Sequence, residues 1–219
     1  AELDSARLDR AVLAGCNFTR ANLEGASFQQ ANLEGARLTN AEVDSANFAK
    51  ANLSHVQAAH AHMDEAYFGG AKLVGAQLPG ASLVGANLEE TLAGEANLEG
   101  ADLTGAHAPG VDLSRAVLRR ANLTGALLST AKLTLSDLRR AVLTDANLKG
   151  ATLAHARGFG AHTGGIVFPD AQLDPLDASA EGDGSRLLSG PDAVRFLTGA
   201  PIEVATTTQC YFGKGDVLR

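Results

Sequence analysis

The sequence of 219 residues is poor in aromatic residues, which make up only 5% of it and include no tryptophan. Hydrophobic residues nevertheless make up 45%, an ordinary share for a globular protein. The core must therefore be built mainly from alanine and leucine. Such small side chains pack densely only where backbone segments lie close together, which favours a narrow and regular architecture.

The sequence also lacks the features of several functional classes. Its net charge is −7, without the basic excess of a nucleic-acid-binding protein, so we predict no direct nucleic-acid binding. No apolar run approaches the roughly 18 residues of a membrane span, and nothing resembles a signal peptide. Cys16 and Cys210 are too far apart for a disulfide framework or a zinc motif. We therefore expect a cytoplasmic protein without membrane contact.

The dominant feature of the sequence is a five-residue repeat. Residues 1–155 read as 31 consecutive pentapeptides without an insertion. The first position is alanine in 26 of them, and the third is Leu, Phe, Met or Val in 28. A period of five fits neither an α-helix nor a flat strand. It predicts a chain that turns a corner every five residues, with positions one and three inside and positions two, four and five outside.

Stacking of successive coils explains how such a chain buries its apolar positions. If four sides close one coil, residue n stacks on residue n+20, and neighbouring coils pair as parallel strands about 4.8 Å apart. The third residues Phe28, Phe48 and Phe68 would then form an aromatic ladder. The period alone does not distinguish three sides from four.

Several units resemble those of the pentapeptide-repeat family. They are ANLEG at 21–25, 31–35 and 96–100, ADLTG at 101–105 and ANLTG at 121–125. The resemblance implies an all-β fold, a right-handed quadrilateral parallel β-helix, and thereby favours four sides. It covers residues 1–155 closely and 166–175 loosely, and it does not extend to 176–219.

We predict three segments from this pattern. Residues 1–155 form an uninterrupted β-helix, and 156–175 form an irregular last coil because a glycine-rich stretch interrupts the pattern. Residues 176–219 form a C-terminal cap or tail. Within the tail, a proline in the first helical position predicts a short helix over 191–198.

The ends of a solenoid expose unpaired strand edges, so something must cover them. The C-terminal tail is the natural candidate for one end, while the first end requires upstream residues or a partner. The family resemblance implies that such tails also mediate homodimers, so an intramolecular cap and a dimer contact both stay open. The candidate cap or dimer contacts are Phe196, Leu197, Ile202 and Val204.

We predict no catalytic, cofactor or metal site. The sequence contains no GxSxG, GxxxxGK[ST] or HExxH motif. His55, His60 and His62 are close in sequence, but the repeat places them at outward positions separated by corners. A narrow, filled solenoid also offers no internal cavity for a small substrate.

The outward positions carry two charged surfaces. In the four-sided arrangement, carboxylates gather on the first side, where like charges repel one another. This acidic stripe comprises Glu2, Asp4, Glu24, Glu42, Asp44, Asp64 and Glu65. Arginines gather on the fourth side and its neighbouring corner. This basic patch comprises Arg115, Arg119, Arg120, Arg139 and Arg140.

These surfaces favour a non-enzymatic scaffold or protein–protein interaction module with an unidentified protein partner. The family resemblance implies an alternative, a DNA mimic that binds DNA gyrase, a topoisomerase, and protects it from quinolones or peptide toxins. Duplex DNA carries one charge per about 1.7 Å of axis, whereas one ladder of carboxylates offers about one per 4.8 Å. The charge density therefore fits the alternative only in part.

Overall fold

A computed structural model describes residues 2–180, 184 and 186–198. Parallel β-bridges join residue n to residue n+20 along the coils, from Glu2–Asn22 to Arg157–Asp177. This spacing confirms the four-sided β-helix. We number the sides in chain order: side 1 begins with residues 2–5, side 2 with 6–10, side 3 with 11–15 and side 4 with 16–20.

One repeating set of backbone hydrogen bonds holds the coils together. The N–H at position three donates to the next coil, as from Leu33 to the Asn52 carbonyl oxygen at 2.7 Å. The N–H at position two donates to the preceding coil, as from Asn52 to the Ala31 oxygen at 2.9 Å. At each corner the fifth residue has a positive φ, such as 63° at Gly35. This left-handed conformation explains why glycine is frequent there.

The core is a column of side chains from positions one and three. Between Ala21 and Ala156 these residues are buried, and most are alanine or leucine. The predicted aromatic ladder is confirmed within this column. The rings of Phe28 and Phe48 stack with centroids 4.9 Å apart, and those of Phe48 and Phe68 with centroids 5.1 Å apart. Stacked rings thus fill the core on side 2 in three successive coils, the second to the fourth.

The prediction of an irregular last coil at 156–175 is wrong. Its backbone bonds keep the five-residue register, as in the 2.8 Å bond from the Leu138 N–H to the Arg157 oxygen. Bridges on all four sides continue to Gln172 and Asp177. The sequence pattern weakens because Gly158 and Thr163 replace the large third residue. Backbone pairing between coils does not depend on that side chain, so the register survives.

The described part of the tail forms two short strands and a helix. Strand β1 is Leu176–Asp177, β2 is Leu187–Leu188, and helix α1 is Gly190–Thr198. Strands β1 and β2 pair antiparallel, while Asp177 also bridges Arg157 of the coil beneath. The hairpin thereby extends the coil edge on side 4.

Helix α1 packs against the end of the solenoid. Leu197 is 3% exposed, and the Phe196 ring lies against Gly158, where an added Cβ would come within 3.0 Å of it. Both side chains therefore pack within the chain. Ile202 and Val204 lie outside the described residues, and a homodimer stays a prediction. The single helix found in the described residues is too short to span a membrane.

Candidate interaction surfaces

The structure places the acidic stripe on side 1, as the register requires. Glu2, Asp4, Glu24, Glu42 and Glu65 are exposed, while Asp44 and Asp64 are half-buried. Within the described part of the chain, no stripe carboxylate forms a salt bridge. The stripe is thus a run of carboxylates without neutralising cations.

The two half-buried members of the stripe hold the coils together. An Asp44 carboxylate oxygen accepts a hydrogen bond from the Asp64 backbone N–H at 2.7 Å. An Asp64 oxygen accepts from the Val84 N–H at 3.0 Å and from the Ser82 hydroxyl. These bonds satisfy the N–H at position four of the next coil. Part of the stripe therefore has a structural reason, which sequence analysis missed.

Where position two is asparagine or aspartate, the same N–H is satisfied within its own pentapeptide. The Asn47 side-chain oxygen, at position two, accepts from the Ala49 N–H at 3.0 Å. Side 1 has His62 and Ser82 at position two in its fourth and fifth coils, and neither side chain supplies that acceptor. Aspartate at position four of the preceding coil takes its place.

The structure brings four members of the basic patch together on side 4. Arg119 and Arg139 occupy position four of successive coils, and Arg120 and Arg140 occupy position five. Arg115 lies apart on the neighbouring corner, where its guanidinium is 3.8 Å from the Glu95 carboxylate. The patch is therefore a block of two arginine columns with one outlying member.

Half of this block is paired with carboxylates. An Arg119 Nη lies 2.9 Å from a Glu99 oxygen. Arg139 binds both oxygens of Asp137, at 2.8 Å through Nε and at 2.6 Å through Nη2. Among the residues that the structure describes, Arg120 and Arg140 form no salt bridge. Unbalanced positive charge is therefore concentrated in the position-five column.

Asp137 is buried beneath the arginine block, at 7% exposure. Burial alone would raise the pKa of its carboxyl group, but hydrogen bonds from Arg139 and the charges of Arg139 and Arg157 outweigh burial. The pKa is therefore held below its ordinary value, and Asp137 stays ionised at neutral pH.

The arginine block borders a cleft of about 250 Å³, which we call the arginine cleft. It is lined by Glu99, Arg119, Arg120, Arg139, Arg140, Phe159 and Ala180. Sequence analysis missed Phe159 because it assigned 156–175 to an irregular coil. The stacking rule could have found it, since Phe159 follows Arg139 by 20 residues.

The described residues contain no group of three His, Cys, Asp or Glu side chains that could hold a metal ion. Cys16 is a half-buried free thiol at an inward first position of the first coil. The surfaces that distinguish this molecule are thus the acidic stripe and the arginine cleft.

Comparisons with known proteins identify repeats of one family. A family model described as pentapeptide repeats matches in eight copies within residues 1–157. No curated protein matches the sequence. Among solved structures, the chain is 30% identical to HetL, a pentapeptide-repeat protein involved in heterocyst differentiation regulation from the cyanobacterium Nostoc sp. strain PCC 7120, over 84% of each chain with a TM-score of 0.45.

Two further structures are similar over shorter or more divergent regions. A pentapeptide-repeat protein from the Arabidopsis thaliana thylakoid lumen is 28% identical over 48% of this chain and 66% of its own, with a TM-score of 0.36. QnrB1, a plasmid-mediated fluoroquinolone resistance protein, is 19% identical over 78% of this chain and 86% of its own, with a TM-score of 0.42.

Proposed function

Because the chain belongs to the pentapeptide-repeat family, whose members fold as right-handed quadrilateral β-helices, we propose that it is a non-enzymatic scaffold that binds a protein partner. The partner docks on the charged sides of the rod. The inward positions are filled by alanine and leucine, so recognition falls to the outward positions. The spacing between coils, about 4.8 Å, fixes the distance between outward residues of neighbouring coils, so these residues form a regular array.

The segregation of charge between sides carries this proposal. Side 1 has nine carboxylates and no lysine or arginine along the coils: Glu2, Asp4, Glu24, Glu42, Asp44, Asp64, Glu65, Asp102 and Asp145. Side 4 has seven arginines: Arg20, Arg37, Arg119, Arg120, Arg139, Arg140 and Arg157. Complementary potentials steer and orient a partner, and a surface divided in this way is suited to that role.

Partner capture with side-specific charge reversals tests the proposal. Glu42→Lys with Glu65→Lys probes side 1. Both residues are exposed, so the pair leaves in place the backbone bonds made by Asp44 and Asp64. Arg120→Glu with Arg140→Glu probes side 4. The matched controls are Glu34→Lys on side 3 and Arg20→Glu, which lies in the same column as Arg120 but five coils away.

We expect a protein retained from a lysate of the source organism to be lost with one pair of reversals and kept with its control. Capture must be repeated with purified partner, because retention from a lysate alone does not show direct binding. A partner whose binding ignores both pairs would contradict the proposal. So would turnover of a substrate by the purified chain.

DNA mimicry directed at gyrase is the second candidate function, and the absence of cations from side 1 favours it. Its carboxylates are spaced more widely than the phosphates of duplex DNA, so we rank it second. In a supercoiling assay, a mimic would inhibit gyrase or protect it from a quinolone. That effect should disappear with Glu42→Lys plus Glu65→Lys and persist with Glu34→Lys. An unaffected gyrase would exclude this candidate.

A further inference from the structure

We propose that the arginine cleft binds the dianionic phosphate monoester group of an aromatic compound. Arg120 and Arg140 hold the phosphoryl oxygens, and the Phe159 ring contacts the adjoining ring of the ligand. The inference deepens the proposed function by naming the chemistry that one surface recognises. It also stands without a protein partner, because a small molecule can carry the same group.

The charge of the cleft favours an anion. Glu99 balances Arg119, and Asp137 binds Arg139 through both carboxylate oxygens. No carboxylate among the described residues neutralises Arg120 or Arg140, although both line the same cleft. Two guanidinium charges thus remain for a ligand. A phosphate monoester carries a charge of about −1.5 to −2 at neutral pH, which matches them.

The geometry of the column allows both arginines to reach one phosphate. They occupy the same position in adjacent coils, linked by the 3.2 Å bond from the Arg120 N–H to the Arg139 oxygen. Gly100 and Gly160 flank the pair and leave the column without side chains on either side. Guanidinium groups bind phosphate oxygens through paired N–H donors, so two of them surround a terminal phosphoryl group.

The cleft also contains an aromatic ring and a hydrogen-bond donor that is unpaired among the described residues, which can contact parts of a ligand that charge alone does not hold. Phe159 is 38% exposed and lines the cleft one coil beyond Arg139. Arg119, which also lines the cleft, has a buried Nε donor without an acceptor among the described residues. An exposed aromatic ring beside arginines favours a ligand with a planar ring next to its phosphate.

Isothermal titration of the full chain with phenyl phosphate tests the proposal, with inorganic phosphate and benzenesulfonate as comparison ligands. We expect phenyl phosphate to bind with one-to-one stoichiometry and more tightly than either comparison ligand. Arg120→Gln and Arg140→Gln should each weaken binding roughly tenfold or more, because each removes a charge-assisted contact. Phe159→Ala should remove the preference for phenyl phosphate over inorganic phosphate.

Arg20→Gln is the matched control, since it changes the same position of the same side far from the cleft. Circular dichroism and thermal unfolding establish that each variant is folded. No binding of phenyl phosphate at 10 mM, equal binding of benzenesulfonate, or equal weakening by Arg20→Gln would overturn the proposal.

Two additional ligands distinguish the source of the phosphoryl group. A phosphotyrosine peptide represents a modified protein partner, and adenosine monophosphate represents a free nucleotide. Tighter binding of either than of phenyl phosphate identifies the source and supports the site. If phenyl phosphate fails while protein capture remains sensitive to Arg120→Glu, the scaffold function stands and the phosphate site is wrong. If phenyl phosphate binds but no protein partner is found, the phosphate site stands and the scaffold function is wrong.

Discussion

At the scale of one residue, two polar side chains at inward positions show what a hydroxyl group needs inside a narrow coil. Thr91 and Ser136 replace alanine at position one and are fully buried. The Thr91 hydroxyl donates to the Phe68 carbonyl oxygen at 2.8 Å. The Ser136 hydroxyl has no hydrogen-bond partner in the described structure. One substitution is thus accommodated, whereas the other leaves a buried polar group unsatisfied.

Replacing Ser136 by alanine should therefore stabilise the protein. Burying a hydroxyl group without a hydrogen bond costs about 1 kcal/mol or more, and alanine is the residue that most units have at this position. We expect the free energy of unfolding to rise by about 1 kcal/mol in urea denaturation. Thr91→Val, which keeps the shape but loses a satisfied bond, should instead lower it. Stabilisation by both changes would argue against this account.

Asp137 makes stability depend on pH. Its pKa is lower in the folded chain than in the unfolded chain, because the contacts with Arg139 and Arg157 outweigh burial. The carboxylate therefore contributes fully above its unfolded pKa, near 4, and its contribution is lost as pH falls through the lower folded value. Asp137→Asn should lower the free energy of unfolding by about 2 kcal/mol at pH 7, because it weakens the charge-assisted hydrogen bonds with Arg139.

The difference between Asp137→Asn and the parent should shrink as the pH falls from about 5 to about 3. Urea unfolding across this range measures it. Asp145→Asn, at an exposed corner of side 1, provides the comparison and should show a much smaller pH-dependent difference. A constant difference for Asp137→Asn would show that its ionisation does not stabilise the fold.

At the scale of an element, the last coil of the solenoid is completed by helix α1. A glycine leaves space in the core of this coil, and an aromatic ring of the helix fills it. Gly158 occupies position three, where nearly every other unit has a large apolar residue. Phe196 of α1 lies against that position. The helix thereby completes a layer of the core that the repeat leaves incomplete.

A double-mutant cycle should reveal this complementarity. Gly158→Leu would force Phe196 out of place, costing about 1–3 kcal/mol, and Phe196→Ala would leave a gap at similar cost. In the double variant, the new leucine fills the space that the ring has left. We expect its loss of stability to be smaller than the sum of the single losses by at least about 0.5 kcal/mol. Additive losses would place the two residues in independent environments.

At the scale of the whole molecule, the position of a charged residue in the repeat determines the side of the rod on which its charge lies. A net charge of −7 is modest, but stacking gathers carboxylates on side 1 and arginines on the adjacent side 4. The molecule therefore presents unlike potentials on adjacent sides, and its repulsion is concentrated within side 1.

Relief of that repulsion should be measurable through salt. Glu42 is exposed at position two of side 1, near Asp44 and Asp64. Glu42→Lys should raise Tm by about 1–2 °C in 10 mM salt, because it replaces repulsion by attraction. The gain should vanish at 0.5 M salt, where charges are screened over a few ångströms. A gain that persists at high salt would have a cause other than charge.

The fold was largely predictable because its information repeats. Inward positions such as those of Ala26 and Phe28 recur every five residues. The same positions stack on one another every 20 residues, as Phe28 does on Phe48. The stacking rule also predicted that Arg119 lies on Arg139. Prediction failed at 156–175, where Gly158 and Thr163 removed the side-chain pattern while backbone pairing continued.

The five-residue period was enough to predict the coil and its inward positions, and the family resemblance added the four sides on which the charges lie. Both were predictable because one backbone hydrogen-bond pattern is repeated along the chain. Which charges are already engaged became visible only with the side chains in place across the coils. Asp64 holds a backbone N–H, Asp137 holds Arg139, and Arg120 remains unpaired among the described residues. Those outcomes depend on side-chain reach across coils, and the docking of Phe196 depends on a non-repeating segment folding back onto the end. Neither is encoded in the period.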